Sequence, residues 1–539
     1  MASSINLMLS SLDGRHFDIV IVGGGINGSA IARECARHGK SILLVEQNDF
    51  SSGTTSRATR IIHGGLRYLE HGEVSLVRES LRERELLLKE KPHLVRPLNF
   101  LLALPEGGER KALEVRFGLW LYRRFANRPA VHAATSDKRT LEGLLDSGQL
   151  WSVFAYEDAQ CEFPERLVVE WLVEAAQNRA VIRNYCELLS AETANGKITG
   201  ARLRDRLNDH EIGVTCSWLI NATGPWADSI CQRSNIATDE PMIGGLRGSH
   251  ILLPTFPGAP HSAVYTEAID RRPIFVIPWA GQLLVGTTEV KDTDDPGRVQ
   301  PSSDEITYLM RSFQRLFPSV DYRFSDIRAA FAGVRPLPFV SDRSPDAITR
   351  SHVLIDHAFD GAEDMISIIG GKLTTAASLA REVARAIGIK VPELRGYGVR
   401  DITHANELMC SFQREVEQRA QISPEFAAAI VKFFGSHALA VADLAATDDR
   451  LRQPICPHTK HIVAEAVHAF RNEFAESLSD ILLRRVPVAF SPCWSEDCSK
   501  AAAQKIGSAL AWDSHRIARE QDSFEKEYAS FLAKPSLSV

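Results

Sequence analysis

The sequence predicts an α/β protein with a helical C-terminal domain, and three observations carry that expectation. A short apolar strand, a glycine-rich turn, a helix and a second strand follow one another near the N-terminus; strand-rich sequence returns in the middle of the chain; apolar residues then take helical spacing to the C-terminus. The 539 residues, 44% hydrophobic and 24% charged, provide for several domains at about 150 residues each.

The first strand is read over Phe17 to Val22 (FDIVIV), the glycine turn over Gly23 to Gly28, the helix over Ser29 to His38 and the second strand over Ser41 to Glu46 (SILLVE). Ala194 to Gly200 (ANGKITG) carries an Asn-Gly hairpin signal, and Ser217 to Gly224 (SWLINATG) reads as a strand entering a tight loop. His250 to Thr288 is strand-rich, with IFVIPW and QLLVGTT its clearest runs. From about Asp401 the pattern is helical, as in Ile462 to Phe474 and Ser514 to Phe531, with no motif that suggests chemistry, so a domain boundary falls near residue 395.

Lys and Arg total 62 against 68 Asp and Glu, a formal charge of −6, so no global basic field draws the chain to nucleic acid and any anion site must be local. The nine cysteines include no C-x-x-C pair, which fits a reducing compartment and marks no structural zinc or other metal site. No apolar run approaches the roughly 18 residues that span a bilayer, and the N-terminus lacks a signal-peptide layout. The expected location is the cytoplasm, or the periphery of the inner membrane on its cytoplasmic face.

Gly23-x-Gly25-x-x-Gly28 follows a strand and opens a helix, the context a dinucleotide pyrophosphate needs: a tight turn, close backbone approach, and free N–H groups at a helix N-terminus. Glu46 ends the next strand, 18 residues beyond Gly28, where a carboxylate accepts from ribose hydroxyls and disfavours the 2′-phosphate of NADP. Ser51 to Tyr68 (SSGTTSRATRIIHGGLRY) is dense in hydroxyls, glycines and cations where an NAD domain would continue its regular alternation, which points to FAD.

At this point a resemblance becomes specific. IVGGGINGSAIA, TTSRATRIIHGGLRYLEHGE, LINATGPW, GLRGSHILLP, VIPWAGQLLVGTTEV, FAGVRPL, AITR and IIGGKLTT together resemble the FAD-dependent glycerol-3-phosphate dehydrogenases, in that family's order from about residue 17 to 390. The resemblance implies a glutathione-reductase-like FAD-binding Rossmann domain (residues 1–75, 150–235 and 345–395). It implies an antiparallel-sheet substrate domain interleaved with it (76–149 and 236–344), and an α-helical C-terminal domain (396–539). Expected FAD contacts are Gly23, Gly25, Asn27, Gly28, Glu46, Thr54 and Thr55, then Ala222 and Gly224 in NATGPW, then Gly371, Lys372, Leu373 and Thr374 in GGKLTT.

Oxidising a secondary alcohol requires a hydride acceptor, a base, and cations if the substrate is anionic. His63, flanked by glycines in IIHGGLRY, is the first choice for the base, and His250 in RGSHILLP is the second. Arg67 and Tyr68, Arg335 before Pro336, Arg350 ending AITR, and Lys372 are the candidates for a phosphorylated polyol, since guanidinium forks suit phosphate. Where the family commonly has lysine before I-H-G-G, this chain has Arg60 after Thr59, which changes shape near flavin or substrate and keeps other polyol phosphates such as erythritol phosphate open. An amine or amino-acid oxidase on the same fold is the other alternative.

The resemblance further implies a quinone or other electron acceptor and peripheral membrane contact; a homodimer stays open. Pro97 to Leu104 (PLNFLLAL) and Lys111 to Ala126 are the candidate contacts. In the second, Leu113, Phe117, Trp120 and Leu121 share a stripe near Arg116, Arg123 and Arg124, while Val115, Leu119 and Tyr122 lie opposite, so the helix reads as interfacial or as core.

Overall fold

The run HFDIVIV is apolar on both faces, as a central parallel strand must be, and forms β1 (His16–Val22). The computed structural model describes residues 9–70, 72–108, 110–126, 135–292, 294–340, 351–393 and 402–532. β1 lies between β2 (Ile42–Val45) and β9 (His210–Asn221), parallel to both, with Ile19 opposite Ile42 on one side and Trp218 on the other. The sheet extends past β2 to β6 (Val181–Arg183) and past β9 to β17 (Met365–Ile369), both parallel, and ends at the antiparallel β16 (Val353–Asp356). β7 (Cys186–Ala194) and β8 (Lys197–Asp205) join it through β9. Their hairpin turns at Asn195 and Gly196, with φ of 53° and 77°, the two positive values that an Asn-Gly type I′ turn requires. The helices Ile26–Arg37, Pro164–Gln177 and Ala376–Ala386 contribute Ile31, Trp171, Leu172 and Val383 to the buried cluster beneath β1 and β2.

The second sheet runs β14 (Val290–Lys291), β10 (Leu246–Pro254), β13 (Gln282–Gly286), β12 (Pro273–Trp279), β11 (Ala263–Glu267), β4 (Val95–Pro105), β5 (Trp151–Cys161) and β3 (Ile61–Ile62), with β15 (Ala329–Arg335) also paired to β10. It is antiparallel except where β4 meets β11. β5 corrects a domain boundary: placed by the sequence reading at the head of segment 150–235, it instead pairs with β4 along its whole length, Val95 opposite Cys161 through Pro105 opposite Trp151. β3, from segment 1–75, likewise pairs with β5. PLNFLLAL is the interior of β4, with Phe100 to Leu104 buried between two neighbouring strands, which removes it as a membrane contact.

The helix Ala112–Ala126 has two apolar faces. Val115, Leu119 and Tyr122 are buried, whereas Leu113, Phe117 and Trp120 are 79%, 64% and 59% exposed, the last two stacked at 5.7 Å. In the C-terminal domain, Pro424–Ala445 is long and apolar enough by composition to cross a membrane, contrary to the sequence reading. Gly435 breaks it into Pro424–Phe434 and Ala438–Ala445, and Ile430, Phe434, Val441 and Ala445 pack into the domain core, so both pieces are core helices.

Buried ion pairs lock this domain to the first sheet. Asp49, just after β2, receives Arg485 Nη1 and Nη2 at 2.8 and 2.7 Å and also pairs with Arg484; both arginines end a single π-helical turn, Asp480–Arg485. Arg166 meets Glu473 in the same junction, both side chains buried.

Candidate active site

A cavity of about 700 Å3 runs from the glycine turn to the second sheet. At its first end, the turn holds no room for side chains: a Cβ on Gly23 (φ 108°) would sit 2.6 Å from Ala222 O, and one on Gly28 would sit 1.9 Å from Gly23 O. Gly25 begins the helix without a side-chain cap. Glu46, at the end of β2, accepts Gly24 N at 2.8 Å and Asn48 N at 3.0 Å, and burial raises its pKa. Asn27 Nδ2 donates to Gly370 O at 3.0 Å, and its buried Oδ1 has no partner among the described residues. Thr55 Oγ1 accepts Ile26 N at 3.1 Å, while Thr54 donates its hydroxyl to Val334 O at 2.8 Å and so ties the loop to β15. A side-chain-free turn, a helix N-terminus, a carboxylate and a spare buried acceptor fit a dinucleotide.

Beside the turn, Gly370, Gly371, Lys372, Leu373 and Thr374 all line the cavity just before the Ala376–Ala386 helix begins. Thr374 Oγ1 accepts the backbone N–H of His63 at 3.1 Å, and Lys372 Nζ lies 3.9 Å from the centre of the Tyr68 ring. His63 follows β3, and its turn is fixed from behind: Gly64 N donates to Tyr122 Oη at 2.8 Å, Tyr122 donates to Asp158, and Asp158 pairs with Arg84. Burial, then the charges of Lys372 and Arg84, push His63 down to about 4, leaving a neutral imidazole at pH 7.

His250, on β10, is stacked on Phe331 at 5.1 Å and has Nε2 3.1 Å from Thr59 Oγ1; burial and then Arg335 and Arg60 push it down to about 3. Arg335, the last residue of β15, places Nη1 3.0 Å from Glu289 Oε1 and donates through Nη2 to Thr287 Oγ1 at 3.2 Å. The side chain of Arg67, and all of Arg350, lie outside the described residues.

Arg60 lines the cavity as expected, but its fork is already engaged on the protein side. The fully buried guanidinium bonds both oxygens of Glu165 at 3.1 Å and lies 4.3 Å from the Trp279 ring centre, so it ties the two sheets together at the cavity wall.

Sequence reasoning missed several lining residues. Arg272 and Glu289 stand in or beside quoted blocks, and Arg272 Nη1 donates to Glu289 O at 3.2 Å. Arg57 lies in the hydroxyl-rich segment, 3.7 Å from the Phe531 ring centre, with burial lowering its pKa to about 9. Arg484, Glu527 and Ser530 come from the C-terminal domain, which therefore walls the cavity despite having no motif. Gln300 Nε2 donates to Ser530 O at 2.7 Å and ties that wall to the segment that follows β14.

The first sheet presents a nucleotide cradle and the second a floor of cations and neutral histidines, which is the division of labour of a flavin-dependent oxidoreductase. The family model described as FAD dependent oxidoreductase matches residues 18–385, and the one described as the C-terminal domain of alpha-glycerophosphate oxidase matches 366–517. A glycerol-3-phosphate dehydrogenase of Synechocystis is 36% identical over 88% of this chain and 89% of its own. A D-erythritol 1-phosphate dehydrogenase of Brucella abortus is 35% identical over 72% of this chain and 76% of its own. The crystal structure of glycerol-3-phosphate dehydrogenase from Bacillus halodurans complexed with FAD shares the fold, with a TM-score of 0.77 at 22% identity over 98% of each chain. The chain belongs to the FAD-dependent glycerol-3-phosphate dehydrogenase family, and its cofactor is FAD.

Proposed function

We propose that the protein oxidises the secondary hydroxyl of sn-glycerol 3-phosphate to give dihydroxyacetone phosphate, and that the electrons leave to a quinone. The observation that carries this reading is the meeting of His63, Lys372 and Arg335 along one cavity with the dinucleotide cradle. FAD, when bound, would supply the hydride acceptor. Gly23, Gly25 and Gly28 would hold its pyrophosphate, Glu46 a ribose, and the 370–374 loop the ring. His63, neutral at pH 7, takes the hydroxyl proton; Arg335 and Lys372 hold the phosphate. A phosphate entering against Arg335 must share it with Glu289, 3.0 Å away.

Anaerobic mixing with a panel of glycerol 3-phosphate, erythritol 1-phosphate and amines tests the reading. Glycerol 3-phosphate should bleach the flavin fastest. Faster bleaching by erythritol phosphate would move the chain to the activity named for its Brucella relative, and bleaching by amines alone would refute polyol-phosphate oxidation.

Arg335→Ala should raise the substrate dissociation constant about tenfold to a hundredfold while changing the rate of the bound complex little, because a phosphate contact is present before and during the reaction. Inorganic phosphate should lose affinity as a competitor in parallel. If neither affinity moved, Arg335 would not hold the phosphate.

The exposed Leu113, Phe117 and Trp120, flanked by exposed Arg116 and Arg124, suit a helix lying in an anionic membrane surface with its other face anchored in the core. Phe117→Ala with Trp120→Ala should lower liposome binding and quinone turnover and spare reduction of a soluble dye. Equal loss of both activities would point to core damage instead.

A further inference from the structure

The hydrogen bonds that hold the NATGPW loop continue well beyond it. Thr223 lines the cavity, and its Oγ1 donates to Asn221 Oδ1 at 2.7 Å, with its backbone N–H 3.4 Å from the same oxygen. Asn221, at the end of β9, donates from Nδ2 to Ala227 O and to Ser367 Oγ, each at 3.0 Å. Ser367 Oγ, on β17, lies 2.8 Å from His357 Nε2, and His357 Nδ1 lies 2.7 Å from Asp360 Oδ2.

Donor and acceptor capacities fix the Thr223 end of this chain: the Ala227 carbonyl only accepts, so Asn221 turns Nδ2 to Ala227 and Ser367 and Oδ1 to Thr223, whose hydroxyl must donate. Ser367 accepts from Asn221, and we assign its own proton to His357 Nε2. His357 then carries its proton on Nδ1 and donates it to Asp360, a tautomer assigned from the network. The bonds run one way, from Thr223 through Asn221, Ser367 and His357 to Asp360. The three middle side chains are fully buried, so water does not scramble the order. Cys231 Sγ packs against the same pair, 3.9 Å from His357 Nε2 and hydrogen-bonded to Ser367.

Two consequences reach the cavity. The Thr223 proton is committed to Asn221, so its oxygen offers a ligand only acceptor capacity. The loop that the chain pins is also a wall of the phosphate turn, since a Cβ on Gly23 would meet Ala222 O at 2.6 Å and Thr223 Cα at 3.0 Å.

We propose that Ser367, His357 and Asp360 are positioning residues for FAD: they preset Thr223 as an acceptor for a cofactor hydroxyl and hold residues 221–224 against the glycine turn. This depends on FAD occupying the cavity and not on which alcohol is oxidised, so its test needs no substrate.

Apoprotein titrated with FAD, followed by flavin fluorescence, reads it directly. Thr223→Val should raise the dissociation constant about tenfold, and Thr223→Ser should stay within about twofold of the parent. Ser367→Ala should match Thr223→Val, and the double variant should lose no more than either alone, because both remove the same preset acceptor. The melting temperature of the Thr223→Val apoprotein should equal the parent's, which separates a positioning role from a structural one. Unchanged FAD affinity in Thr223→Val, or losses that multiply in the double variant, would overturn the proposal. Should Ser367→Ala not fold, the Val and Ser variants at 223 decide alone, equal affinities overturning it.

Discussion

His63→Asn is expected to slow flavin reduction by substrate about a hundredfold or more, with the substrate dissociation constant changed only a few-fold, because a general base acts in the transition state. Asparagine preserves the backbone bond from residue 63 to Thr374 and leaves the Gly64–Tyr122–Asp158 support untouched, so the loss isolates proton transfer from folding. Stopped-flow bleaching under anaerobic conditions measures it; a rate within about tenfold of the parent would make His250, held by Thr59, the better base. A pH signature accompanies the rate. The active form is the neutral imidazole, so the rate falls as pH drops through the His63 pKa, about 4 in the free protein. A bound phosphate offsets the Lys372 charge that helps depress it, so the acid limb for the bound complex should lie at higher pH than the limb for kcat/KM.

Asp49→Ala should destabilise the junction with the C-terminal domain by about 3 to 5 kcal/mol, the range for breaking a buried ion pair and stranding its partners. Arg484 and Arg485 would both lose a carboxylate in a fully buried setting. Urea unfolding and limited proteolysis at the domain boundary should report it, and a change below about 1 kcal/mol would show that the arginines find other partners. The pH dependence has two limbs of opposite sign. Burial is outweighed by the two guanidiniums at Asp49, which hold it at about 2 against an ordinary 3.8, so its contribution is full above 3.8 and is lost as pH falls toward 2. That shift corresponds to about 2 kcal/mol. Asp480, pushed up to about 6 by burial and by Asp49, contributes fully below 3.8 and loses it as pH rises through 6.

The fold class and the cofactor were legible because their signals are local. A βαβ unit with glycines in register, an Asn-Gly turn and a helical period each depend on neighbours in sequence, and β1, the Ile26–Arg37 helix and β2 fall within a few residues of the sequence reading. The misplaced β5 had no local signal to betray it: its partner β4 lies about fifty residues earlier, and pairing at that distance is decided by packing rather than by propensity. Arg60 shows the same limit at a single residue. Its context of hydroxyls and glycines marked the cavity that it does line, and only the fold reveals that Glu165 and Trp279 hold its guanidinium there. Arg484, Glu527 and Ser530 were illegible for a further reason, since helices lining a cavity carry the same period as helices lining a core. Both faces of the Ala112–Ala126 helix were visible in the sequence, but which one met the core required the neighbours Leu81, Tyr156 and Ile61 that share its cluster.

The walls contributed by Glu527 and Ser530 bear on how the protein is made. The glycine turn at residue 23 leaves the ribosome long before the helix that ends at Phe531, so the nucleotide cradle exists in the nascent chain before this wall of its cavity does. The cavity gains this wall only when the Ser514–Phe531 helix docks. Filling of the cavity and docking of that helix are therefore linked by mass action: a ligand that binds only the completed cavity stabilises the docked helix, and a docked helix favours the ligand in return.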